Sequence, residues 1–336
     1  MTRYLNLLII AMILMVPLSV QAETSSGKIT MAFDLSAQKA DKDVQLWIPY
    51  PISNKNQTIS NITVDGNYAS SAVYTDRVFQ NNMLYAKWDA GAAERTLTFT
   101  FDVKRDELQR RDFPQKEAEW DPADYALYLA PTRLGPIDGE VKKLVDTITK
   151  GKTGVLEKAK AIYDWTCENT WRNPETKGCG VGDVNRLLKE PSGKCADISS
   201  IYVALARAAG VPAREILGIR QGKKAVQDIT KWQHCWSEFY LPGYGWVPVD
   251  PADVRKMMLK ENLKPEDKKT KDYRAYFWGG VDPYRIKLGE GRDLELNPAQ
   301  HGEPVNYLMY PYAQVDTKTL DWLDPATFKY TITYTR

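Results

Sequence analysis

Histidine is nearly absent from this chain. Among 336 residues there are two, His234 and His301, so a metal centre built on imidazoles has poor raw material and no metal or cofactor is expected. Cysteine is sparse too. The four, Cys167, Cys179, Cys195 and Cys235, form no CxxC pair. Net charge is almost missing: 45 Lys and Arg stand against 43 Asp and Glu, which leaves no electrostatic footprint for a nucleic acid. Beyond residue 20 no apolar run is long enough to span a bilayer.

What is present begins at the N-terminus. Met1 to Ala22 reads as an export signal: Arg3 is its only charge, Leu5 to Val20 is apolar, and Val20–Gln21–Ala22 is a small-x-small cleavage pattern. A membrane anchor is the alternative, but Pro17 and Ser19 interrupt the run. The expected location is therefore periplasmic or secreted, with no stable membrane insertion after cleavage. In such a compartment disulfides can form. If Cys195 has to stay free for chemistry, a Cys167–Cys179 bridge across a short polar loop is the economical pairing, with all four thiols reduced as the alternative.

Residues 28–105 alternate in the manner of a β-sandwich. Lys28–Leu35, Asp43–Tyr50, Thr58–Val64, Met83–Trp88 and Thr96–Val103 are short strand-like runs separated by Asn, Gly, Asp and Ser. A polar stretch from Lys104 to Asp121 reads as a linker. Helical periodicity then starts near Asp138, a second helix is expected from about Val155 to Glu168, and a loop with Gly178, Gly180 and Gly182 leads to a third. Lys256–Lys271 reads as a charged, solvated excursion, and Phe328–Thr335 as a strand.

The chemistry gathers at three places. Cys195 opens a helix in which Ile198, Tyr202, Leu205 and Ala209 share one face and which Gly210 and Pro212 terminate. A cysteine at a helix N-terminus feels the positive end of the dipole, which favours the thiolate. His234 lies on an aromatic-rich run with strand character, and alternation turns the neighbouring Cys235 to the opposite face, into the core. Asp250 follows a second strand after the turn at Pro242–Gly243–Tyr244–Gly245. A two-residue turn at Gly243–Tyr244 would put His234 and Asp250 on opposite faces. A shared face requires an odd-length loop near Pro242, or a bulge. Otherwise Asp250 is a turn residue. Asp197 is read as a helix cap, Arg214 as an ion-pairing residue at the core or its edge, and His301 as an exposed loop residue.

These segments carry a resemblance. Gly193–Lys194–Cys195–Ala196–Asp197, Leu205 to Arg214, His234 to Tyr240 and Gly245 to Pro251 resemble the transglutaminase-like superfamily, whose members have a papain-like core with a Cys-His-Asp triad. Leu46–Trp47–Ile48–Pro49–Tyr50–Pro51 is similar to the sandwich that often precedes this core in exported bacterial members, and Tyr276–Gly280 and Tyr310–Ala313 resemble their C-terminal extensions. The resemblance implies an α+β protein: signal 1–22, β-sandwich 23–128, papain-like, transglutaminase-like core 129–260, and a β-rich C-terminal extension 261–336. It implies Cys195 as nucleophile, His234 as base and then acid, and Asp250 as orienting carboxylate. The Cys195 N–H would be one oxyanion donor and the Trp171 indole a candidate for a second. The expected activity is cysteine-dependent acyl transfer on protein or peptide amides through a thioester, hydrolysis being favoured over cross-linking because nothing marks an amine-acceptor site or a calcium loop. The competing reading is a catalytically silent module that binds protein or glycan. The sequence leaves the substrate and the oligomeric state open.

Overall fold

A computed structural model describes residues 22–323 and 327–336. The expected export signal lies outside the described residues except for Ala22. Among the described residues no helix is long and apolar enough to cross a membrane.

Residues 24–106, joined by strands from later in the chain, build two facing antiparallel sheets. In one, Thr24–Asp34 sits between Thr96–Asp106 and the C-terminal strand Tyr330–Thr335, with Gln57–Gly66 and the short Val226–Asp228 at the edges. In the other, Val44–Pro49 lies between Asn82–Trp88 and Tyr312–Val315, with Ser70–Thr75 and Lys318–Thr319 outside them. The period-two pattern of Thr96–Phe101 buries Leu97, Phe99 and Phe101 against Ile29, Leu46 and Trp88. The strand Ser70–Thr75 has no counterpart in the sequence reading. Its residues are half-buried or exposed, so it carries no alternating apolar signal.

The stretch after residue 260 is not a separate body. Tyr312–Val315 and Tyr330–Thr335 complete the two sandwich sheets, and Arg285–Glu290 is an edge strand of the core sheet. Pairing with strands that would otherwise expose their N–H and C=O groups explains why this chain returns to both bodies.

The core has a four-stranded antiparallel sheet, ordered Gly245–Val249, Gln233–Leu241, Ala213–Arg220 and Arg285–Glu290. The helix Cys195–Ala208 packs on it, flanked by Gly139–Ile148 and Val155–Asn169. Its residues Cys195 to Arg207 are all buried, so the four apolar residues at helical spacing understate its burial. The charged stretch 256–271 is no loop excursion. Helices Pro251–Glu261 and Lys268–Tyr276 occupy most of it. The overlooked signal is Asp250–Pro251, an N-cap followed by proline at the first helical position.

Candidate active site

The turn between the His234 and Asp250 strands has three residues, Pro242–Gly243–Tyr244, with Leu241 paired to Gly245 and Ser237 to Val249. Gly243, at φ +76°, supplies the left-handed backbone at its centre. The loop is odd in length, centred one residue beyond Pro242, and it sets His234 and Asp250 on one face. His234 Nε2 lies 2.7 Å from Asp250 Oδ2, with both side chains buried. Asp250 Oδ1 accepts the Asp253 N–H at 2.8 Å, capping the following helix, while the Asp250 N–H donates to the Phe277 carbonyl at 3.1 Å. The cap and the strand end together fix the carboxylate.

With Nε2 committed to Asp250, Nδ1 is the ring nitrogen left for Cys195, which lines the same cleft and whose thiol the imidazole lowers. Cys195 is the first residue of its helix, so its N–H has no intrahelical acceptor and is available to a developing oxyanion. Its thiol is held well below the usual range. The neighbouring Cys179 and Cys235 thiols contribute most, His234 acts in the same direction, and together they overcome burial. Both thiols show the reciprocal shift. Cys179 is pushed up by Cys195 and by burial, and Cys235 by burial and Cys195. Cys235 is core, and its sulfur also lies 4.0 Å from Ser199 Oγ on the central helix.

The loop before the helix is tied to it by Asp197. Its Oδ1 accepts the N–H groups of Val181 (3.2 Å) and Gly182 (2.9 Å), and its Oδ2 accepts that of Lys194 (3.0 Å). A Cβ at Gly180 would come within 1.8 Å of this carboxylate, and one at Gly193 within 2.2 Å, so both glycines are needed for the close approach. The Ala196 N–H then donates to the Cys179 carbonyl at 2.9 Å, and the Tyr310 hydroxyl donates to the Cys179 sulfur at 3.2 Å.

No Cys167–Cys179 disulfide forms: all four cysteines are free. Cys167 sits near the end of its helix in the helical core, beside Tyr163, and burial pushes its thiol up to about 12. Cys179 belongs to a different cluster, with Cys195 and Tyr310. The chain between them pairs Trp171–Arg172 with Ser192–Gly193 and so leads toward the Cys195 helix instead of folding back. Trp171 is 48% exposed and is not among the residues lining the Cys195 cleft, where its neighbour Arg172 is. The structure does not bring its indole to the sulfur. Arg214 pairs with Glu238 (2.7 Å) and Glu290 (2.8 Å), and His301 is exposed.

Arg285 escaped the sequence reading. Fully buried, it is ion-paired to Asp250 Oδ2, to Asp253 Oδ2 at 2.6 Å and to Asp282 at 2.9 Å. Burial opposes its charge, but Asp282, Asp250 and Asp253 raise its pKa further still. Asp253 also pairs with Arg220 at 2.5 Å. His234, Asp250 and Asp253 are close enough together to ligate a cation. The Arg285 guanidinium supplies the positive charge there. Nothing local in the sequence marks Arg285, which joins the site only when its strand pairs with Ala213–Arg220.

Cys195 and His234 line a cleft of about 290 Å³ that also contains Arg172, Lys194, Lys231 and Lys256. It shares Arg220, Trp232 and Lys256 with a larger groove of about 840 Å³.

Residues 142–251 match the model of the transglutaminase-like superfamily. An uncharacterized protein of Haemophilus influenzae is 34% identical over 330 residues, covering 90% of this chain and 89% of that one. A protein-glutamine gamma-glutamyltransferase of Pseudomonas aeruginosa is 36% identical over 88 residues, 25% of this chain and 13% of its own. A crystal structure from Cytophaga hutchinsonii, described as a candidate cysteine protease, shares the fold with a TM-score of 0.55 at 16% identity, over 94% of this chain and all of that one. The matched segment holds Cys195, His234 and Asp250 in the order and the folded arrangement described above, and the chain belongs to the transglutaminase-like superfamily.

Proposed function

We propose that this protein is an exported cysteine hydrolase that cleaves amide bonds of peptides or proteins through a thioester on Cys195. The observation that carries the reading is the buried chain Asp250–His234–Cys195, with the thiol held low at a helix N-terminus. The thiolate attacks the carbonyl carbon, and the charge on oxygen is met by the Cys195 N–H. The imidazolium gives its proton to the leaving amine as the C–N bond breaks. His234 then takes a proton from water, which attacks the thioester, releases the acid and restores the thiol. Asp250 keeps the ring in the required tautomer throughout.

Cross-linking needs a lysine amine in place of water. Four cations of the cleft, Arg172, Lys194, Lys231 and Lys256, have no ion-pair partner among the described residues, and together they repel a protonated lysine. This favours water as the acceptor. The export component rests on residues 1–22.

Incubation with a peptide library in ¹⁸O-water, with a fluorescent primary amine present, tests the assignment. Labelled carboxylates and no incorporated amine are expected. Amine incorporation would make it a transferase, and failure of Cys195 to react with any substrate would favour the silent binding module.

A further inference from the structure

The chain as a whole is nearly neutral, yet the cleft at Cys195 is not. Five of its eleven lining residues are Lys or Arg, and none is Asp or Glu. Arg220 is neutralised by Asp253. Arg172, Lys194, Lys231 and Lys256 have no side-chain hydrogen bond or ion pair among the described residues. Lys256 is only half-exposed, and burial, then Arg220 and Arg172, outweigh the opposing pull of Asp253 and Cys195 and hold its ammonium below the usual lysine range. Cations crowded together in a half-enclosed space repel one another, and one thiolate cannot balance four of them. The larger groove continues this character with Lys223, Lys224 and Lys260, although acidic side chains line it too.

A second feature of the same cleft concerns peptide backbone. Gln233 is 6% exposed and lines the cleft; its Nε2 donates to the Thr230 carbonyl at 3.0 Å, while its Oε1 is buried with no partner. An acceptor left unpaired at a site is matched by a ligand that brings an N–H group. Chloride and sulfate bring no donor at neutral pH; a peptide brings one N–H per residue.

We infer that the substrate is an acidic peptide, bound with carboxylates beside the scissile amide against Arg172, Lys194, Lys231 and Lys256, and with a backbone N–H on Gln233. This deepens the hydrolase reading and rests on it. The carboxylates can be side chains or a free C-terminus, since the cleft recognises the group and not its source.

Alkylation of Cys195 in the full chain separates the two readings. The same thiolate displaces iodide from iodoacetate and iodoacetamide, which differ in charge, so their rate ratio cancels any change in thiolate fraction. Relative to the ratio for free cysteine, the protein should favour iodoacetate by on the order of 10-fold at low salt. The preference should collapse in 1 M NaCl, where the screening length is about 3 Å. Lys256→Met should lower it severalfold. Lys231→Gln, at an exposed side chain, should lower it less and serves if Lys256→Met does not fold. Protection from iodoacetamide by three acetylated hexapeptides completes the test: one with two glutamates and an amidated end, its glutamine counterpart, and that counterpart with a free C-terminus. Protection by the first or the third, but not the second, identifies the source of the carboxylate. A ratio equal to that of free cysteine, unchanged by salt or substitution, with equal protection by all three peptides, would overturn the inference while fast Cys195-specific alkylation left the hydrolase reading standing. Slow alkylation by both reagents would overturn the hydrolase reading itself, and this inference with it.

Discussion

Asp250 and Arg285 form an ion pair in which neither side chain is exposed to solvent. The same carboxylate oxygen faces His234, so Arg285 holds Asp250 in place as Asp250 holds the imidazole. Removing one member of a buried pair leaves the other charge uncompensated. Arg285→Met should therefore cost about 3–5 kcal/mol of stability, read by urea unfolding. Arg285→Lys keeps the charge and loses the fork that reaches three carboxylates. As a positioning residue, Arg285 should show its loss in kcat with KM little changed, and lysine should restore part of it. A rise in KM alone would mean that Arg285 serves binding.

Cys179 should tune Cys195. Cys179, in the same buried cluster, leads the groups that hold the Cys195 thiol low. Cys179→Ala removes that group, and the midpoint of the pH–alkylation profile of Cys195 should move upward. Tyr310→Phe, which removes the hydroxyl donated to the Cys179 sulfur, should have a smaller effect. A Cys179→Ala midpoint at or below that of the parent protein would show that His234 and the helix terminus suffice.

The acid side of the stability profile should report Asp253. Burial works against its charge, but Arg220, then His234 and Arg285, hold its pKa well below the ordinary carboxylate value. A depressed folded-state pKa contributes stability above the unfolded value, about 3.9, and that contribution is lost as pH falls through the lower folded value. Asp253→Asn should be less stable at pH 7 and should lose less further stability between about pH 4 and pH 2. Parallel curves for the two proteins would contradict the assignment.

Thiol counting gives a simple check on the cysteines. Under denaturing, non-reducing conditions four free thiols are expected. In the native protein Cys195 should react first, ahead of Cys167, Cys179 and Cys235, whose thiols are all buried and raised. Two thiols after denaturation would restore the bridge that the fold argues against.

Motif order alone grouped Cys195, His234 and Asp250, because each lies beside a strong local signal: a helix start, an aromatic strand, a strand end after a glycine turn. For His234 and Asp250 to share a face, strand parity requires an odd loop near Pro242 or a bulge, and the odd loop is the one that forms. Arg285 was illegible for the opposite reason. It lies 35 residues after Asp250, on a strand whose neighbours are set by tertiary pairing. The helix at Pro251 was hidden by its charge, since lysine-rich helix surfaces and solvated loops have similar composition. The bridge between Cys167 and Cys179 failed because a short separation in sequence says nothing about which core cluster each thiol joins.

The central claim is that Cys195 carries the acyl group. Acid-quenched intact mass and peptide mapping, after mixing the full chain with a slowly hydrolysed peptide ester, test it most directly. The account predicts an acyl adduct confined to the peptide containing Cys195. It should be absent in Cys195→Ala, whose fold is retained because alanine is a good helix former. Asp250→Asn should form the adduct slower by a factor on the order of 10²–10⁴, and His301→Ala, at an exposed loop residue, at the parent rate. Turnover in Cys195→Ala, or an adduct on any other side chain, would contradict the account.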